Sequence, residues 1–118
     1  MVKYSSPSLD HVFMALSDQT RRAILLELKH GHKTVRQLAA PFRLSPSGFS
    51  KHLRVLERAG LMTQTKNGRE RWCRLVAKPL KESLTWLQQY QEAWTRSAAS
   101  FAHYAAQLES SKQRTKTN

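Results

Sequence analysis

Leu9, Val12, Phe13 and Leu16 recur at helical spacing, so their side chains share one face of a short first helix. That helix is expected to stop near Ser17 and Asp18, and Asp18 is a good cap for the next one because its carboxylate can accept from free first-turn amides. Ile24, Leu25 and Leu28 mark the buried stripe of a second helix reaching about His30, which Gly31 ends by tolerating positive φ. Thr34 can cap a third helix over residues 35 to 42, and Pro41, having no amide to donate, closes it within about two turns. Ser45 then caps a fourth, with Pro46 at the first helical position, where a missing N–H costs nothing; Gly60 stops it.

Beyond Gly60 the period changes. Thr, Trp, Cys, Leu and Val residues flank Asn67-Gly68, both tolerant of positive φ, which predicts a β-hairpin with strands near 61 to 66 and 69 to 76. After Pro79, Leu80, Leu84, Leu87, Gln91, Trp94, Ala98, Phe101, Ala105 and Leu108 step by alternating fours and threes, the signature of a helix with a packing seam. Such a helix is about 45 Å long, more than a small domain covers by itself, so part of its apolar face is expected to meet another chain. The order is mainly α with a small β-hairpin, that of a winged helix-turn-helix. It forms one domain over residues 1 to 109, and the basic residues 110 to 118 read as a disordered tail.

The fourth helix carries the chemistry. With Phe49 as reference, Leu53 and Leu56 fall on its side, Ser47, Lys51, Arg54 and Arg58 fall opposite, and Ser50 lies at the margin. A major groove about 12 Å wide admits one helix, whose hydroxyls and guanidinium groups can reach base edges while other cations hold phosphates. His52 sits near the apolar side, as a packed or phosphate-bonded residue rather than a base reader. Lys66, Arg69 and Arg71 cluster around the hairpin tip, placed to touch sugar-phosphate or the minor groove.

Charge strengthens this reading through its placement. Lys and Arg number 20 against 8 Asp and Glu, a net +12, which points to a polyanionic partner. Residues 33 to 74 hold ten Lys or Arg and two Glu, a balance of +8, whereas residues 75 to 109 hold three of each sign. The excess is therefore local. A single Cys, Cys73, excludes an internal disulfide and fits a reducing compartment, with cytoplasm the expected location. The longest aliphatic run, residues 23 to 26, is far too short to span a bilayer. Scattered carboxylates, no nucleophile with a base partner and no phosphate-binding glycine loop argue against an enzyme, and no cofactor is implied.

Residues 13 to 28, 34 to 39, 45 to 61 and 68 to 75 together resemble the ArsR-type winged-helix transcription regulators along nearly the whole of residues 9 to 108. The combination of Ser50-Lys51-His52-Leu53 with the run from Leu56 to Leu61 carries the resemblance. It implies a homodimer joined through its first and last helices, with Leu9, Phe13, Leu84, Leu87, Trp94 and Phe101 at the interface. It also implies recognition helices in successive major grooves about 34 to 36 Å apart on a near-palindromic operator, and repression by covering a promoter.

Many members sense metals, and there the sequence departs. Where those carry a Cys-Val-Cys-Asp-Leu motif on the third helix, this chain reads Thr34-Val35-Arg36-Gln37-Leu38, which offers no thiolate. The other family site uses Asp, His and Glu on the last helix, yet residues 80 to 109 contain no Asp and only His103. His11, His30, His32 and His52 form no i, i+4 pair with an orienting carboxylate, so no metal site is expected. Cys73, flanked by Arg71 and Arg74, could be a redox switch with a lowered pKa, or a small strand residue packed against the helices; packing is the favoured reading. The alternative function is a non-specific architectural or RNA-binding protein, against which the aromatics stand: Trp86, Tyr90, Trp94, Phe101 and Tyr104 lie on the uncharged last helix instead of the basic face. Those aromatics fit dimer packing better than a pocket for an organic effector.

Overall fold

A computed structural model describes residues 7 to 116. The element order is α1 (Pro7–Leu16), α2 (Gln19–Leu28), β1 (Lys33–Thr34), α3 (Val35–Ala39), α4 (Pro46–Arg58), β2 (Met62–Asn67), β3 (Glu70–Leu75) and α5 (Lys78–Lys116). Two compact units result, one ending at Ser83 and the other beginning at Leu84.

Local chemistry sets the helix boundaries in the first unit. Asp18 caps α2 by accepting from the Arg21 amide at 3.1 Å. The helix ends at Leu28 with Lys29 as its cap, slightly before the expected His30, and Gly31 follows at φ 131°. Thr34 and Gln37 form a reciprocal capping box on α3, the Thr34 hydroxyl accepting from the Gln37 amide at 3.1 Å and the Gln37 carbonyl oxygen from the Thr34 amide at 2.9 Å. That helix stops at Ala39, not Phe42. Pro41 has no amide with which to continue the ladder, and the chain turns through a Phe42 N–H to Ala39 carbonyl bond. The α4 helix ends in a Schellman motif: Gly60 takes φ 72°, its amide donates to Glu57, and the Leu61 amide reaches back to Leu56.

The core collects Val12, Ala15, Ile24, Leu28, Leu38, Phe49, Leu53, Leu56, Leu61, Met62 and Cys73, so α1, α2, α3, α4 and the sheet each contribute a buried face. The sheet has three antiparallel strands in the order β1-β3-β2. Two features differ from the sequence expectation. First, β1 is an added strand, pairing Lys33 with Cys73 and Thr34 with Trp72. A two-residue strand has no periodicity to read. Second, the hairpin turns one residue later than Asn67-Gly68: Asn67 pairs with Glu70, Gly68 alone has positive φ at 67°, and Arg69 becomes the second tip residue. Glycine at the first central position is what a type II′ turn requires.

In the second unit, α5 continues to Lys116, so Ser110 to Lys116 are helical where a disordered tail was expected from Ser110. No Pro or Gly interrupts the run after Glu109, and adding a residue to an existing helix costs far less than nucleating one. Leu84, Leu87, Tyr90, Trp94, Phe101, Tyr104 and Leu108 are all exposed along it.

Candidate nucleic-acid interface

On α4 the buried and exposed faces separate cleanly. Phe49, Leu53 and Leu56 are buried, and the Phe42 ring lies 5.8 Å from that of Phe49, so the α3 to α4 connection packs on the inner face. Ser47, Ser50, Lys51, Arg54 and Arg58 are all exposed on the other. The N-terminal turn is pinned by Ser45, whose hydroxyl accepts from the Gly48 amide at 3.1 Å and lies 3.3 Å from the Ser47 hydroxyl. That pinning orders the end of the helix from which short polar side chains project.

The wing stands beside it. Lys66, Arg69 and Arg71 are exposed around the tip of the β2–β3 hairpin. An open hollow of about 410 Å³ lies between α4 and the wing, and Ser50, Arg54 and Arg71 line it. Its floor is braced by the Gln64 amide donating to the Glu57 carboxylate at 2.7 Å, which joins β2 to α4. An adjoining hollow of about 260 Å³ is lined by Arg36, Arg69 and Arg71. Arg36 thereby joins the cationic set. The sequence marked it only as a residue unfit for metal ligation, since its approach to the wing depends on the β1–β3 pairing.

A second feature that sequence spacing missed holds α4 against the first two helices. Arg21 donates from Nε to the Ala15 carbonyl at 2.9 Å, from Nη2 to the Met14 carbonyl at 2.9 Å, and from Nη1 to His52 Nδ1 at 3.2 Å. One guanidinium therefore caps the end of α1 and grips α4. Because arginine can only donate, His52 Nδ1 is the acceptor of that bond. Asp18 Oδ2 lies 3.7 Å from the same Nδ1. The Arg21 amide hydrogen bond holds the Asp18 carboxyl below its ordinary 3.8, outweighing a desolvation that pushes the other way, with the Arg21 charge acting in the same sense as the hydrogen bond. His52 is thus a packed, bonded side chain at the α2–α4 junction.

Cys73 lies on β3 facing the core and is fully buried. Burial pushes its thiol up to about 11, and the Glu57 charge adds in the same direction. This is the reverse of the lowered pKa that a redox switch needs. Adjacency to arginines in sequence does not help: Arg74 leaves from the opposite face of the strand, and Arg71 extends into solvent.

Leu9 and Phe13 on α1 are half-buried, whereas Leu84, Leu87, Trp94 and Phe101 on α5 are exposed. Among the described residues, no three His, Cys, Asp or Glu side chains gather as a metal-holding group, and no described helix is long and apolar enough to cross a membrane.

Residues 16 to 65, from the end of α1 into β2, match the family model of a helix-turn-helix domain. The chain is 36% identical over 102 residues to an HTH-type transcriptional regulator, Rv2034, of Mycobacterium tuberculosis, covering 86% of this chain and 91% of that protein. It is 34% identical over 79 residues to the transcriptional repressor SdpR of Bacillus subtilis, covering 67% of this chain and 88% of the relative. A crystal structure of an ArsR family transcriptional regulator superimposes with a TM-score of 0.71 at 40% identity, covering 75% of this chain and 97% of the other. With a helix-turn-helix DNA-binding domain and transcriptional regulators as its relatives, the chain is itself a transcriptional regulator, not an enzyme, and it belongs to the ArsR family of winged helix-turn-helix proteins.

Proposed function

We propose that this protein is a cytoplasmic homodimeric repressor that binds a near-palindromic operator in double-stranded DNA and does not respond to metal through the family's usual sites. The carrying observation is the exposed row of Ser47, Ser50, Lys51, Arg54 and Arg58 on α4, next to the hollow it shares with the wing. Ser47, Ser50, Lys51 and Arg54 enter the major groove, where hydroxyls and guanidinium groups discriminate base edges. Arg58, Lys66, Arg69 and Arg71, with Arg36 added, hold sugar-phosphate and supply salt-sensitive affinity. Two such helices, related by a dimer dyad through α1 and α5, read half-sites about one helical turn apart. That a relative 34% identical to this chain is named a transcriptional repressor supports the sign of the regulation.

Selection of bound fragments from a genomic library, followed by fluorescence anisotropy on the selected duplex and on random duplex across a salt series, tests the proposal. The selected duplex is expected to bind at least roughly 10³-fold tighter than random duplex at physiological salt. Equal affinity for both would replace this reading with the architectural or RNA-binding alternative.

A further inference from the structure

The outer side of α2 carries an apolar hollow that shares no residue with α4 or the wing tip. Leu16 at the end of α1, Leu25 and Leu26 on α2, Leu75 at the end of β3 and Leu80 near the start of α5 line about 280 Å³ of open space, all within the first unit. Leu26 is 61% exposed there, so the hollow presents apolar surface to water. The remaining lining residues are both cations, Arg22 and Lys29. Seven positions apart, they lie on one side of α2, about 10 Å from each other along its axis. Arg22 Nη1 donates to the Leu16 carbonyl at 2.7 Å, which fixes the guanidinium at the rim and leaves its other N–H groups free. Among the described residues neither cation is paired with a carboxylate, and no acid lines the hollow.

We infer that this hollow binds one medium-chain alkyl carboxylate, with the chain along the leucines and the carboxylate on Arg22. The planar guanidinium fork matches a carboxylate through two parallel hydrogen bonds, and Lys29 adds a second positive charge at the same rim. An uncharged or cationic head group would leave both cations without a counter-charge. Size sets the chain length: a cavity of about 150 Å³ holds a benzene ring, so 280 Å³ has room for an alkyl chain of about ten carbons. Each methylene withdrawn from water adds at most about fourfold in affinity, and less in an open groove, so decanoate should bind about three to fifteen times more tightly than octanoate. A concave face suits a single chain better than a bilayer, which is met by a projecting apolar face. None of the lining residues belongs to the surface proposed above for DNA, so this binding is a separate property of the chain.

Calorimetric titration of the full-length protein with octanoate, decanoate and decanol, each below its micelle concentration, tests the site. Decanoate is expected to saturate one site per chain and to bind at least about ten times more tightly than decanol, which has the same chain without the charge. Arg22→Gln with Lys29→Gln should bring decanoate down to the affinity of decanol. Lys29→Gln alone, at an exposed side chain, should weaken decanoate about threefold or more and keeps the charge test readable if loss of the Arg22 bond to Leu16 loosens the fold. Leu26→Asp, at a position open enough to leave the urea midpoint unchanged, should abolish binding. The site is refuted by the absence of saturable binding, by equal affinity for decanol, or by full binding in Leu26→Asp. Two further results would reassign the hollow: a Leu26→Asp protein that loses self-association in sedimentation makes it a contact between copies, and capture by phosphatidylglycerol vesicles without decanoate binding makes it a membrane-facing surface.

Discussion

Replacing Arg21 with methionine keeps most of the aliphatic stem and removes the guanidinium that joins α1, α2 and α4. Three bonds are lost, to the carbonyls of Ala15 and Met14 and to His52 Nδ1. They are not equivalent. The Met14 carbonyl keeps Ser17, whose hydroxyl lies at 2.6 Å and whose amide lies at 3.2 Å, so losing Arg21 there costs little. The carbonyl of the fully buried Ala15 loses a charged donor at 2.9 Å, and the His52 ring loses the group that orients it. An unsatisfied buried acceptor costs about 1 to 3 kcal/mol, and a lost, partly exposed bond about 1 more, for a total of roughly 2 to 4 kcal/mol. For a chain of this size that lowers Tm by roughly 8 to 16 °C. Urea unfolding followed by circular dichroism at pH 7 measures it, with Arg54→Ala as the comparison, because Arg54 is exposed and expected to change stability by less than about 0.5 kcal/mol. If Arg21→Met shifted the urea midpoint no more than Arg54→Ala, the claim that this arginine docks α4 would be wrong.

Arg54→Ala should weaken operator binding and relax base preference, while Arg69→Ala should weaken all duplexes alike and reduce the salt slope by about 1; an Arg69→Ala protein altered only in sequence choice would refute the assignment of the wing. Trp94→Ala should raise the dimer dissociation constant and, through lost bivalency, lower operator affinity by about 10² or more; an intact micromolar dimer in sedimentation would contradict this. Because the Cys73 thiol is raised from 9.0 to about 11 by folding, it favours the folded state fully below pH 9 and loses that contribution as pH rises through 11. Wild type should therefore lose about 2 to 3 kcal/mol relative to Cys73→Ala across that window, and a constant difference in unfolding free energy would count against the burial argument. The same burial predicts slow alkylation of Cys73 in native protein at neutral pH, measurable by mass spectrometry.

The elements themselves were legible in the sequence wherever the signal is local. Asp18, Thr34 and Ser45 each cap the helix that follows them, and Gly60 closes α4 by a motif confined to a few consecutive residues. The apolar stripe of α4 and its opposite polar row follow from helical period alone, since side chains one hundred degrees apart sort themselves whatever surrounds them. What depends on pairing between distant segments was not legible. Strand β1, the approach of Arg36 to the wing and the grip of Arg21 on His52 all join residues whose separation in sequence carries no period. Cys73 shows the difference in one side chain: its sequence neighbours are cations that favour a thiolate, while its spatial neighbours are the core and Glu57, which favour the thiol. Local hydrogen bonds and periodicity thus settle where each element begins, ends and turns its apolar face, whereas desolvation and contact across the fold decide which polar groups meet and in what charge state.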